Sequence, residues 1–190
     1  GVETVTAATD AMARIQESVA GVGDVGGALG ARSRAIREVG DPSGQMKVLT
    51  IDQGSSKGLV AGMPVLSPSG ILLGQVSAVK GERATVLLII DVGSSVPVET
   101  QRTGVQGVLE GQWQKGGRLQ VRRVARDADI VEGDRLVTSG IGDTFPQGLL
   151  VGQVATVRQS DVSMEKEAEV YPLVELNKLE TVLVITNGKN

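Results

Sequence analysis

A chain of 190 residues with a formal net charge of -3 can hold one large domain or two small ones, and it carries no broad basic face for nucleic acid. It has neither histidine nor cysteine, which removes the physiological-pH proton shuttle, the commonest metal ligand, thiolate nucleophiles and disulfides. Aromatics are 2% of the residues, Trp113, Phe145 and Tyr171 alone, so Val, Leu and Ile must fill the cores and a carbohydrate site built on aromatic platforms is disfavoured.

In chain order, the spacing of Val2, Val5, Thr9, Met12 and Val19 near a and d positions predicts a short N-terminal helix over residues 1–20. With Gln16 in its seam, such a helix is marginal alone and needs a partner or the protein body. It reads either as the end of a coiled coil, with Val2, Val5, Met12 and Val19 as the candidate dimer seam, or as a loosely packed amphipathic helix. Residues 21–33 follow as a glycine-rich linker. Gly21, Gly23 and Gly26 match a dinucleotide fingerprint in form, but they follow a helical pattern and open no helix, so phosphate binding is not expected. No run reaches the roughly 18 apolar residues of a membrane-spanning helix, and no signal peptide opens the chain. Loss of an N-terminal anchor by trimming is one expectation raised by the abrupt start at Gly1.

Strands are then predicted at about Arg34–Val39, Lys47–Asp52, Ile71–Val79, Ala84–Ile90, Val96–Thr100, Val105–Glu110 and Arg118–Val124. Arg135–Ser139, Leu150–Arg158, Glu165–Tyr171 and Thr181–Thr186 complete the set. Gaps of mostly under about ten residues leave no room for crossover helices, so antiparallel pairing dominates. Val86–Ile90 and Val182–Ile185 are apolar on both faces and should be covered on both sides, which stitches the C-terminus into a core.

Two stretches repeat. Ala61-Gly62-Met63-Pro64-Val65-Leu66-Ser67 leads into Gly70-Ile71-Leu72-Leu73-Gly74-Gln75-Val76, and Glu132-Gly133-Asp134-Arg135-Leu136-Val137-Thr138 leads into Gly148-Leu149-Leu150-Val151-Gly152-Gln153-Val154. A spacing of roughly 70–80 residues exceeds a solenoid unit and suits two small barrels or sandwiches side by side. The expected division is a first β-domain over 34–110, a second over 111–186 with the chain free to cross between them, and a tail over 187–190.

Little in the chain points to catalysis. Ser77/Lys80 and Ser163/Lys166 fit S-x-x-K, but on strands an i, i+3 pair points to opposite faces. Ser139 lies beside Gly140 with no histidine to serve as base. Asp127, Asp129, Glu132 and Asp134 crowd together but lack the EF-hand pattern. Arg118, Arg122, Arg123 and Arg126 read as solvated strand edge rather than a nucleic-acid patch. Catalytic, cofactor-binding and metal-binding residues are therefore all expected to be absent. The structural turn residues are Gly62, Gly74, Gly133, Gly140, Phe145, Pro146, Gly148 and Gly152.

The segments Leu49–Val65, Val86–Asp91, Ser95–Val98 and Gly104–Leu109 resemble the rod shape-determining MreC family, and Gly133–Leu149, with its Thr-Ser-Gly and Phe-Pro-x-Gly elements, is the most specific part. The resemblance runs from about Ile36 to Ile185. It implies a bacterial protein with one membrane helix, a dimerising coiled coil and two β-barrels on the outer face of the cytoplasmic membrane. It also implies a scaffold of the cell elongation machinery, forming dimers or filaments and linking MreD, MreB and a class B penicillin-binding transpeptidase. Barrels of this family are likened to chymotrypsin-type proteases without a triad, in keeping with the missing histidine. The short helix and the glycine-rich linker depart from the family pattern.

The chain is thus read as all-β, two small, mainly antiparallel barrel or sandwich domains with a short N-terminal helix, holding partners by sheet faces and edges. The alternative is a hydrolase with a Ser-Lys dyad on Ser139 or Ser163.

Overall fold

The computed structural model describes residues 29–36, 46–159, 161–175 and 179–186, the first of these segments by its backbone. The predicted helix, with Val2, Val5, Met12 and Val19, lies outside the described residues, as do most of the linker and the tail.

Among the described residues twelve strands form two closed six-stranded barrels. The first contains β1 (Leu29–Ile36), β2 (Val48–Ile51), β3 (Pro64–Leu66), β4 (Leu72–Lys80), β5 (Arg83–Leu88) and β12 (Thr181–Ile185), in the order β1-β12-β3-β4-β5-β2. The second contains β6 (Ser95–Thr100), β7 (Gln106–Gln112), β8 (Arg118–Ala125), β9 (Arg135–Thr138), β10 (Leu150–Gln159) and β11 (Glu165–Pro172), in the order β10-β11-β8-β7-β6-β9. Every pairing between these strands is antiparallel.

The strand grouping differs from the expected division at 110/111. Strands β6 and β7 lie in the second barrel, and β12 returns from the far end of the chain to the first. Local alternation marks a strand but not its partner, so the expected boundary fell inside β7, a strand of the second barrel. The first strand also starts earlier than expected, taking in residues 29–33 of the linker.

Valine, leucine and isoleucine fill two apolar clusters. Ile51, Val65, Leu73, Val76, Val86, Val182 and Val184 belong to the interior of the first barrel. Leu66, Leu72, Ile89, Leu183 and Ile185, also carried by the first barrel, pack with the interior residues of the second, such as Val96, Leu109, Leu119, Val151 and Val170. Strand β12 alternates between the two cores, which is why it is apolar on both faces; Val182 to Ile185 are each at most 2% exposed. Complete burial of such side chains is worth about 1.5–3 kcal/mol each relative to exposure. The other strand expected to be covered twice ends at Leu88, and Leu87 on its outer face is only half-buried. An isolated bridge between Ile71 and Leu150 also joins the barrels.

Barrel closure corrects one expectation. Each strand has hydrogen-bonded neighbours on both sides, so assembly through long exposed sheet edges is not built into the described residues.

Candidate functional site

The sequence repeat is a repeat of hydrogen bonds. Gly62 N–H donates to the Val76 carbonyl at 2.7 Å and Val76 N–H to Met63 at 2.8 Å; Gly133 and Val154, Val154 and Asp134 make the same bonds at 2.9 and 2.8 Å. Ser67 Oγ accepts from Ile71 N–H at 3.1 Å, and its counterpart Thr138 Oγ1 accepts from Leu149 N–H at 2.9 Å. The strands bulge at matching places, between Val76 and Ala78 and between Val154 and Thr156. Gly70 and Gly148 turn the chain at φ 86° and 91°, a region that a Cβ disfavours. Gly74 and Gly152 serve close approach instead: a Cβ on Gly74 would sit 2.0 Å from the Leu87 carbonyl oxygen, and one on Gly152 2.6 Å from Val170 Cγ1.

The copies differ in two places, and the second carries the additions. Where Ser67 to Gly70 closes one turn, Thr138 to Gly148 closes the other by a longer loop. Phe145 buries its ring in the core, Thr138 Oγ1 donates to the Pro146 carbonyl, and Gln147 Nε2 reaches Glu99 at 3.0 Å. Ser139 N–H donates to Pro97 O, and Gly140, at φ 73°, lies against Gln147. Ile141 stands out from this anchored loop, 54% exposed.

The other difference is at Asp134, whose counterpart is Met63. Val60 N–H donates to Met63 Sδ at 3.4 Å, whereas Val131 N–H donates to Asp134 Oδ2 at 3.0 Å. A carboxylate with only 5% of its side chain exposed needs a cation, and Arg102 supplies it. Its Nε and Nη2 reach Asp134 at 2.7 and 3.0 Å, while Nη1 and Nη2 reach Asp129 at 2.8 and 2.9 Å. These bonds hold both carboxyls below the usual carboxylate range, against burial that pushes them up, and hold the guanidinium above its ordinary value. Two members of the acidic cluster are thus tied to an arginine. Arg102 was missed in the sequence because its partners lie 32 and 27 residues away.

The serines are occupied by local bonds. Ser77 Oγ donates to Thr85 O at 3.1 Å, and Ser163 Oγ to Glu165 O at 2.9 Å. Lys166 Nζ donates to Ala128 O at 2.8 Å. Ser139 is buried and its Oγ accepts from Ile141 N–H at 3.4 Å, closing the turn.

The arginines predicted to edge a strand lie partly on the outer face of the second barrel. Arg122 pairs with Glu110 at 3.4 Å. Arg118 and Arg158 grip the two oxygens of Glu169 at 2.8 and 3.2 Å, and Gln120 Nε2 donates to Glu167 at 2.8 Å. A groove of about 240 Å³ is lined by Arg118, Gln120, Arg158, Glu167 and Glu169, together with Lys115. At the junction of the barrels Asp91 is buried and accepts from the N–H groups of Lys47 and Gly93, at 2.5 and 2.7 Å, while Lys47 Nζ lies 4.2 Å from the Trp113 ring centroid.

Residues 39–186 match the family described as rod shape-determining protein MreC, barrel core. Cell shape-determining protein MreC of Escherichia coli (strain K12) is 33% identical over 162 residues, 83% of this chain and 43% of that protein. The crystal structure of MreC from Pseudomonas aeruginosa is similar with a TM-score of 0.74 and 35% identity, over 82% of this chain and 97% of that one. A complex between penicillin-binding protein PBP2 and MreC from Helicobacter pylori matches with a TM-score of 0.60 over 83% of this chain and 98% of that chain; at 16% identity this shows a likeness of fold alone. The chain spans about half or less of the length of the first curated relatives it matches.

Proposed function

The chain belongs to the MreC family of rod shape-determining proteins, and from that premise we propose that it is a non-enzymatic scaffold of the bacterial cell elongation machinery. The observation that carries the reading is the family match across both barrels, whose duplicated turns spend their hydroxyls on closing the chain rather than on exposing a nucleophile. In this reading the barrels lie on the outer face of the cytoplasmic membrane, tethered by an anchor in the full-length protein. Their partners are a second copy, joined through the helix seam at Val2, Val5, Met12 and Val19, together with MreD, MreB across the membrane, and a class B penicillin-binding transpeptidase. The penicillin-binding partner is supported by the likeness of fold to the MreC chain of the PBP2 complex. Among the described residues no helix is long and apolar enough to cross a membrane.

The test is genetic. A rod-shaped host lacking its own family member is given the full-length protein carrying this segment, and cell shape is scored. Restored rods are expected; round cells, at normal protein level, overturn the scaffold reading. Labelling of Ser139 or Ser163 by an electrophilic probe, abolished by changing one lysine, would instead favour the hydrolase.

A further inference from the structure

The groove on the outer face of the second barrel is lined by three cations, Lys115, Arg118 and Arg158, and by the carboxylates of Glu167 and Glu169. We propose that it is a docking site for an extended, acidic segment of a partner protein, whose carboxylates take Arg118, Arg158 and Lys115 in place of Glu169. The proposal rests on the scaffold reading and names the chemistry of one partner segment.

Glu169 shows what the two guanidiniums accept, since one carboxylate bridges both, Oε2 to Arg118 and Oε1 to Arg158. The bridge is weakly held. Arg158 is 74% exposed and Arg118 48%, and ion pairs this open to water contribute little, so an incoming carboxylate displaces Glu169 at small cost. Donors also outnumber acceptors. Each guanidinium offers a fork of N–H groups of which the bridge uses few, Gln120 takes one oxygen of Glu167, and Lys115 has no ion-pair partner among the described residues. Arg118 is further held over the Tyr171 ring, 5.7 Å from its centroid, which keeps its plane oriented.

Shape selects the occupant. A groove of about 240 Å³ admits a few side chains or one extended strand, not a folded domain. Arg158 on β10 and Arg118 on β8 stand two strands apart and offset along them, Arg158 facing Glu167 while Leu119 faces Val170, yet both guanidiniums converge on Glu169, within reach of carboxylates about 7 Å apart at alternate positions of an extended segment. Bidentate guanidinium recognition then sets specificity, and the surplus positive charge speeds encounter.

The experiment titrates the chain with a short peptide alternating glutamate and threonine, by calorimetry and by the fluorescence of Trp113, the only tryptophan, two residues from Lys115. Binding that weakens as salt rises is expected, and Arg158→Glu or Lys115→Glu should weaken it about tenfold or more while leaving the unfolding temperature unchanged. Absence of binding at low salt, equal binding of a lysine–threonine peptide, full competition by inorganic phosphate at matched concentration, or unaltered affinity in both variants would overturn it. Restoration of rods reads the scaffold proposal and peptide binding reads the groove, so either can fail alone.

Discussion

Thr138 and Arg102 show how much a single side chain can carry in this protein. The Thr138 hydroxyl accepts from Leu149 N–H and donates to Pro146 O with no solvent exposure, so Thr138→Val strands a buried donor. A loss of about 1–3 kcal/mol is expected in denaturant titrations, with Thr138→Ser largely retaining stability. Arg102→Ala leaves the buried Asp134 without its cation and should lower the melting temperature, Asp134→Asn less so. The pH dependence has a definite sign. Both Asp129 and Asp134 have lowered pKa values in the folded state, so the stability they contribute is present above the unfolded carboxylate value of about 4 and is lost as pH falls through the lowered folded values. Melting temperatures of wild type and Arg102→Ala should therefore converge between about pH 5 and pH 2, and a constant gap would refute the clamp. Gly62, Gly133, Gly140 and Gly148 take positive φ, a region few residues other than glycine enter, whereas Gly74 and Gly152 lie within strands and Arg102 left no local mark. Only the comparison of Asp134 with Met63 at the equivalent turn signals that a buried acid requires a distant cation.

At the level of elements, β12 bears the most. Its even-numbered residues enter one core and its odd-numbered ones the other, so Leu183→Ala opens a cavity between the barrels while Val184→Ala opens one inside the first. Leu183→Ala should cost about 2–5 kcal/mol and, by loosening the contact, split a single unfolding transition into two; calorimetry distinguishes this from a uniform shift. The apolar run at Val182–Ile185 was readable as doubly buried, since no solvated strand carries four such residues in a row. What covers it was not readable, because the covering strands belong to a barrel whose residues lie far away in sequence. The same limit explains β6 and β7, whose alternation marked strands but whose partners are chosen by long-range packing. The groove escaped notice for a related reason: Arg118, Arg158 and Glu169 meet only when β8, β11 and β10 lie side by side.

For the whole molecule, the repeat and the topology together make a stronger statement than either alone. Counting six strands from each start, β1–β6 and β7–β12, the cyclic orders β1-β12-β3-β4-β5-β2 and β7-β6-β9-β10-β11-β8 are the same, with the sixth strands exchanged. Each half completes the barrel of the other. Cutting the chain in the exposed turn between β6 and β7, at Thr103–Gly104, should therefore leave the protein assembled, its fragments co-eluting in buffer and parting only in denaturant. Expressed apart, the N-terminal fragment lacks β12 and the C-terminal fragment lacks β6, so each has an open barrel with an unpaired edge and should be insoluble or disordered until mixed with the other. Strand β6 also brings Val96 and Val98 to the shared core, so the C-terminal fragment loses apolar burial as well as pairing. A far-ultraviolet spectrum and sharp melting for either fragment alone would show that its barrel closes without the exchanged strand. That result would defeat the account of the two barrels as one interlocked body and return them to the status of independent beads.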